Sequence, residues 1–325
     1  MTGLYKVLGV PFGFVLRLIY ESIGFHNYAI SIILLTLLAR LLMIPSTVSQ
    51  QKGMVKTQRM QSKIRKIQAK YAGDQRKIQE ETQALYQREN YNPMNMGCGP
   101  MFFQFIILFG LIGAIYYPLS NFLPNIDAGE VTLLTEALQS LPGYTAPASN
   151  SILSELQIMQ NISSLKEMGV EGVKEATFAA IQNIDFSFFG LFSLGDAPSD
   201  FPISEGFHAI WFIPVLSCLS TVGSSLYSQL KQKSANPDNA ANKSVGCMMI
   251  FMTAFSLFFV VKYPAGIGIY WIASGVFGLI TSIVVSKIYS PKKMFAKLMV
   301  EETIQRRSRE NSIKLVHELK ETSEN

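Results

Sequence analysis

The sequence predicts an all-α integral membrane protein with five transmembrane helices, on three observations. The 325 residues are 49% hydrophobic and only 16% charged, whereas a soluble domain carries about a quarter charged residues. Five apolar runs, some narrowly, reach the roughly 20 residues that a helix needs to cross hydrocarbon. The connecting segments then alternate between strongly basic and nearly free of Lys and Arg, as loops on opposite sides of a membrane do.

The first element covers residues 1–26. Its apolar run is interrupted by Pro11 and Arg17, and no small-residue cleavage site follows a clean core, so a signal peptide is disfavoured. Leu8, Phe12, Val15 and Ile19 recur at helical spacing, which fits an amphipathic helix on the membrane surface. The spans follow at 27–47, 98–120, 207–231, 245–263 and 266–289. The last two are joined through KYPAG, where Pro264 and Gly266 suit a tight turn between antiparallel helices.

Charge assigns the sides. The segment 48–92 holds Lys52, Lys56, Arg59, Lys63, Arg65, Lys66, Lys70, Arg76, Lys77 and Arg88. The tail 290–325 is basic again, with Lys292, Lys293, Lys297, Arg306, Arg307 and Arg309. Between them, residues 121–206 carry only Lys166 and Lys174 against many acids. By the positive-inside rule, 48–92, the loop 232–244 and the tail are cytoplasmic. The amino terminus and 121–206 lie outside, giving a multi-pass protein of the cell membrane with a cytoplasmic carboxyl terminus.

Within 48–92, Met60, Ile64, Ile67 and Tyr71 form one helical stripe, and Ile78, Thr82 and Leu85 a weaker one. The break at Gly73 predicts a helical hairpin, read either as a solvated spacer or as a basic arm for a nascent chain, a ribosome or anionic headgroups. The segment 121–206 reads as helical near 131–141, 152–168 and 170–184. Its run FSFFGLF at 186–192 is too short to span and reads as an interfacial aromatic anchor.

Several function classes lose ground. Cys98, Cys218 and Cys247 have no metal-ligand spacing and form no disulfide framework. No Asp or Glu lies within a span, and His26, His208 and His317 are not central. A proton-coupled transporter needs such a group at membrane depth, and an intramembrane hydrolase needs an activated nucleophile or a metal. There is no phosphate-binding loop, and a net charge of +5 is too mild to argue for DNA. The expectation is a protein that is not an enzyme and takes no cofactor.

One ionisable residue stands out. Arg40 lies inside the first span, in LLTLLARLLMIP, with Thr36 one turn before it. On the third span Ser217, Thr221, Ser224 and Ser228 form one polar stripe. Gln104 sits one turn into the second span, Thr253 and Ser256 share a side of the fourth, and Ser274 and Thr281 a side of the fifth. Arg40 on its own can snorkel to the cytoplasmic headgroups, and single Ser or Thr residues can simply pack helices closely. Taken together they describe a hydrated groove open to the cytoplasm, in which polarity is tolerated at membrane depth. A guanidinium in such a groove attracts water and acidic side chains. A substrate helix parks its short polar tail there while its apolar stretch slides into lipid, driven by hydrophobic burial alone.

The stretch NYAISIILLTLLARLLMIP, the charged run ending QAKYAGDQRKIQEETQALYQRENYNPMNMGCGPMFFQF, and MMIFMTAFSLFFVVKYPAGIGIYWIASGVF together resemble the YidC/Oxa/Alb membrane insertases, in their bacterial YidC-type form. The resemblance covers all five spans and the hairpin. It implies five helices around a hydrophilic groove, with Arg40 as the groove arginine and the YPAG–YW pattern, ending at Trp271, at the start of the last span. It further implies an insertase and chaperone whose partners are nascent membrane proteins and the lipid bilayer, with the ribosome and the secretion channel as further candidates. Departures from the family pattern are visible. A proline common after the glutamine of the second span is replaced by Phe105 and Ile106, FMTAF lacks another, and 121–206 is longer than usual for a single-membrane bacterium. A channel or small-solute transporter, and a ribosome-anchoring scaffold, remain the alternatives.

Overall fold

The computed structural model describes residues 2–89, 99–123, 125–142, 144, 154–235, 253–254, 256–289 and 291–324. Among them the regular elements are helices, and the β-pairings are isolated bridges, Asn27 with Asp185 and Ser187 with Ser193. Two described helices are long and apolar enough to cross a membrane, Ala209–Leu230 and Ala265–Ile288. Tyr28–Leu42 with Ile44–Lys70 makes a third if counted as one broken span, and Ile106–Tyr116 is apolar but shorter. Residues 245–252 and 255 of the fourth expected span lie outside the described residues.

The chain divides into two compact units. The first begins with α1 (Thr2–Ser22) and α2 (Tyr28–Leu42). On α1 the predicted stripe faces inward: Ile19 is buried, and Phe12 and Val15 pack against the core. The opposite face is not polar. Val7, Val10, Phe14 and Leu18 are exposed there, so the helix is apolar on both sides, as suits a surface that meets lipid rather than water. Helix α2 starts where the Asn27 side chain accepts from the Ile30 amide at 3.0 Å, which satisfies one orphan donor of the first turn. It stops at Leu42, just before Pro45, whose ring has no place in a helix interior.

The pattern repeats further on. Helix α3 (Gly99–Tyr116) ends ahead of Pro118, which opens the short α4 (Pro118–Asn121) at a position where its missing N–H costs nothing. Helices α1 and α3 approach closely at Gly9. A Cβ there would collide with the Asn121 side chain and lie 2.9 Å from the Gly113 backbone. Asn121 Nδ2 uses the gap to donate to the Gly113 carbonyl at 2.9 Å. The core of the unit is built around Tyr28, Ile32, Leu111, Ile115 and Ile213. The fully buried Tyr28 hydroxyl donates to the Ala114 carbonyl at 3.0 Å.

Residues after α4 form a small helical layer of α5 (Ala128–Gln139), α6 (Ser154–Gln160), α7 (Ile162–Met168) and α8 (Glu175–Gln182). It has its own core of Leu134, Leu138, Ile158, Leu165, Phe178 and Ile181. Buried Glu130 accepts from the Lys174 amide, the Thr177 hydroxyl and the Asp127 amide. These bonds, that of the Lys174 amide first, hold its carboxyl below the usual carboxylate range.

This layer and the chain leading from it fasten one end of the long helices. Glu155 accepts from the Leu119 and Ser120 amides at 2.8 and 2.9 Å. Asp185 accepts from the Asn27 side chain at 2.7 Å and, through its carbonyl, from the Tyr28 amide at 3.1 Å. The Phe201 carbonyl accepts from Trp211 Nε1, just ahead of α9 (Phe212–Ala235). The Asp196 and Leu194 carbonyls accept from the Ala265 and Gly266 amides at 2.7 and 2.9 Å, at the start of α10 (Ala265–Ile288). Orphan backbone donors of three helix starts are thereby met by one segment.

The second unit contains α11 (Ile44–Lys70), α12 (Gln75–Arg88) and α13 (Pro291–Glu324). The turn between α11 and α12 needs Gly73, whose φ is +98°. Asp74 then caps α12 by accepting from the Lys77 amide. Glu89 ties the two helices together, accepting from Lys63 at 2.6 Å and from Arg59 at 3.5 Å. Helix α13 packs along α11.

Candidate functional site

The site lies in the first unit, where α2 meets α10. Arg40 is half-buried in the last turn of α2, and its Nη2 donates to the hydroxyl of buried Ser274. One turn further along α10, Gly278 leaves the guanidinium room. A Cβ on that glycine would lie 3.8 Å from Cζ, Nη1 and Nη2 alike, so the guanidinium plane lies face-on over it. Tyr270, one turn before Ser274, is buried within electrostatic range of the same group. Among the described residues no carboxylate lies within ion-pair distance of Arg40.

The other predicted residues fall around this pair in different ways. Thr36 is buried, and its hydroxyl donates to the Ile32 carbonyl of its own helix at 2.7 Å. On α9, Ser217 is buried, Thr221 and Ser224 are half-buried, and Ser228 is exposed. Ser224 and Ser228 donate to the Thr221 and Ser224 carbonyls, each at 3.0 Å, so these hydroxyls bond backwards along the helix. Helix α9 lies against α10 at Ile213, beside Gly268, and at Ser220, whose Oγ lies 2.6 Å from where a Cβ on Gly275 would be. Ser256 is buried. Trp271 is half-buried and meets the Phe259 ring with centroids 6.4 Å apart. The Gln104 side chain lies outside the described residues. The structure thus brings Arg40 together with Ser274, which the sequence had placed on a polar side of the last span, and bonds it to none of the stripe on α9.

Gly278 and Ser220 escaped the sequence reading. The spacing of Ser274 and Gly278 by four was the available signal, since it leaves one helix face low enough for a large side chain to cross.

Fold and site define an α-helical membrane protein with a half-buried arginine held by a neutral hydroxyl among apolar helices. The chain belongs to the 60Kd inner membrane protein family, whose profile matches residues 18–293. The Membrane protein insertase YidC of Fusobacterium nucleatum subsp. nucleatum is 32% identical over 157 residues, which are 48% of this chain and 72% of the relative. That of Clostridium perfringens is 42% identical over 105 residues, 32% of this chain and 42% of the relative. That of Syntrophus aciditrophicus is 38% identical over 112 residues, 34% of this chain and 20% of the relative. The chain spans less than half the length of the latter two relatives.

Proposed function

We propose that this protein is a membrane protein insertase and chaperone. It moves hydrophobic segments of nascent membrane proteins from a polar groove, open to the cytoplasm, into the bilayer without hydrolysing nucleotide. The observation that carries this reading is Arg40, half-buried and bonded to a neutral hydroxyl. Ser274 satisfies the donor without neutralising the cation, so the charge stays available to an incoming carboxylate or polar tail, in surroundings that strengthen the attraction. In this reading Thr36, Gln104, Ser217, Thr221, Ser224, Ser256 and Trp271 line the groove with Arg40.

The relatives' shared name as insertases supports the reading, and so does the alternation of charge along the chain. On that alternation five spans run between an external amino terminus and a cytoplasmic carboxyl terminus. The hairpin at 48–92 and the tail at 290–325 face the cytoplasm, where a ribosome or the secretion channel would meet them. The test is reconstitution of the purified chain in vesicles with a single-span substrate, with solute flux measured in parallel. Insertion without flux is the expected result. Flux without insertion makes the protein a channel, and ribosome binding with neither makes it a scaffold.

A further inference from the structure

Three non-glycine residues among those described have a positive φ: Phe25 at 52°, His26 at 54° and Phe189 at 49°. A side-chain Cβ disfavours this left-handed region, so such residues persist where the surroundings hold them and tend to mark function. Both phenylalanines point out of the protein. Phe25 is 84% exposed and Phe189 63% exposed. Left to local preference, each turn would use glycine or asparagine and would hide its aromatic ring.

The two turns are parts of one knot. Asn27, two residues after Phe25, donates to the Asp185 carboxylate and to the carbonyl of Ser187, two residues before Phe189. Asp185 in turn accepts from the Ser187 hydroxyl at 2.7 Å. Beside Phe189, Phe188 and Phe192 stack with centroids 5.3 Å apart and pack against the core. The loop is therefore rigidly footed, and Phe189 stands on its tip. Ile23, Leu191, Ile203 and Phe207 are also exposed in the chain around this end. Phe207 meets Phe212 at 5.3 Å, where the exposed apolar surface of α9 begins with Val215, Leu216 and Leu219.

We infer that Phe25 and Phe189 form a two-pronged anchor in the headgroup–acyl boundary of the leaflet beside the 121–206 segment, and that this anchor sets the depth of Arg40. Aromatic rings favour that boundary. The occupant is lipid because exposed Phe25 and exposed Phe207 immediately precede the apolar helices Tyr28–Leu42 and Ala209–Leu230 in the chain. The inference rests on reading the apolar helices as membrane-spanning. Asn27 is the N-cap of α2 and is bonded into the same knot. From Tyr28 to Arg40 the helix rises about 18 Å at about 1.5 Å per residue. In a hydrocarbon layer of about 30 Å, anchoring at Phe25 holds the Arg40 backbone just past the midplane and well short of the opposite headgroups. The helix could otherwise slide until Arg40 reached water.

The test uses the full-length chain with its three cysteines replaced by serine, spin-labelled at single positions and reconstituted in phosphatidylcholine–phosphatidylglycerol vesicles. Labels at Phe25→Cys and Phe189→Cys should collide more often with oxygen than with a water-soluble nickel chelate, as at lipid-facing Leu219→Cys. A label at Met168→Cys, exposed on the helical layer, should show the reverse. Phe25 and Phe189 labels behaving like Met168 would overturn the anchor, including the case in which these rings dock on another protein. For depth, a label at Leu41→Cys is compared between dimyristoyl- and dierucoylphosphatidylcholine bilayers. Its distance from the anchored surface should stay constant in the otherwise native chain and drift with thickness in Phe25→Ser/Phe189→Ser, with Phe25→Trp/Phe189→Trp restoring constancy. An unchanged depth in the serine pair would refute the gauge. These readouts do not require insertion activity, so they separate this inference from the insertase reading.

Discussion

Arg40 and Ser274 stand 234 positions apart in sequence and are joined by a guanidinium-to-hydroxyl hydrogen bond. The partner's chemistry matters more than the contact. A carboxylate at Ser274 would have consumed the charge, and an alanine would have left a donor unmet inside the protein.

Replacing Arg40 by Ala should lower insertion of a single-span substrate by an order of magnitude or more, the loss expected when about 1.4 kcal/mol or more of charge attraction is removed. Arg40→Lys should recover part of it, keeping the charge without the planar fork. Native insertion rates in Arg40→Ala across several substrates would disprove the role.

Ser274 should act through charge balance rather than packing. Ser274→Ala is expected to reduce insertion mildly, whereas Ser274→Asp should reduce it nearly as far as Arg40→Ala by pairing with the guanidinium. Gly278→Leu should also inhibit, because the guanidinium plane occupies that space. A Ser274→Asp protein no worse than Ser274→Ala would argue against an available cation.

Cysteines at Thr221 and Ser224, in a chain cleared of native cysteines, should react with an impermeant thiol reagent from the cytoplasmic side. Leu216 and Leu219, exposed on the apolar flank of the same helix, should stay unlabelled, because a thiol in hydrocarbon rarely ionises. Equal labelling at all four positions would remove the groove.

The helical layer should loosen in acid. Because the folded structure depresses the Glu130 pKa, chiefly through the Lys174 amide, its stabilisation is full above the ordinary carboxylate value and fades as pH falls through the lower folded one. Amides of α5 and α8 should exchange faster at pH ~3 than at pH ~5 once intrinsic rates are corrected. Glu130→Gln should flatten that difference, and an equally steep native-like response in the Gln protein would assign it elsewhere.

Deleting residues 54–88 and bridging the gap with a flexible linker should leave a protein that extracts normally in detergent but inserts poorly. Aggregation of the deleted form would instead make the hairpin part of the structural frame.

Much of the architecture could be read from the chain because helices declare themselves locally. The apolar runs and helical stripes mark helices, Gly73 marks the turn of the hairpin, and the lone arginine in an apolar run singles out the candidate site. Periodicity shows which face a hydroxyl occupies but not what it bonds, so Thr36 looked like Arg40's neighbour although it donates to Ile32. The fastening by Glu155, Asp185 and Asp196 was hidden for another reason. Its bonds cross 35 to 158 positions, as from Ser120 to Glu155 and from Asn27 to Asp185, and several use backbone carbonyls that any residue possesses.

That fastening also has a mechanical consequence. Near Asn27, Leu119, Trp211 and Ala265 the first unit is laced into a rim, as staves are held by a single hoop. Staves hooped at one end can spread only at the other. On the proposed reading, a bulky chain passing between α2 and α10 would do so at least cost by fanning these helices away from the rim, from Arg40 in the last turn of α2 and Gly278 in the middle of α10, with the hooped rim as the pivot and the seal.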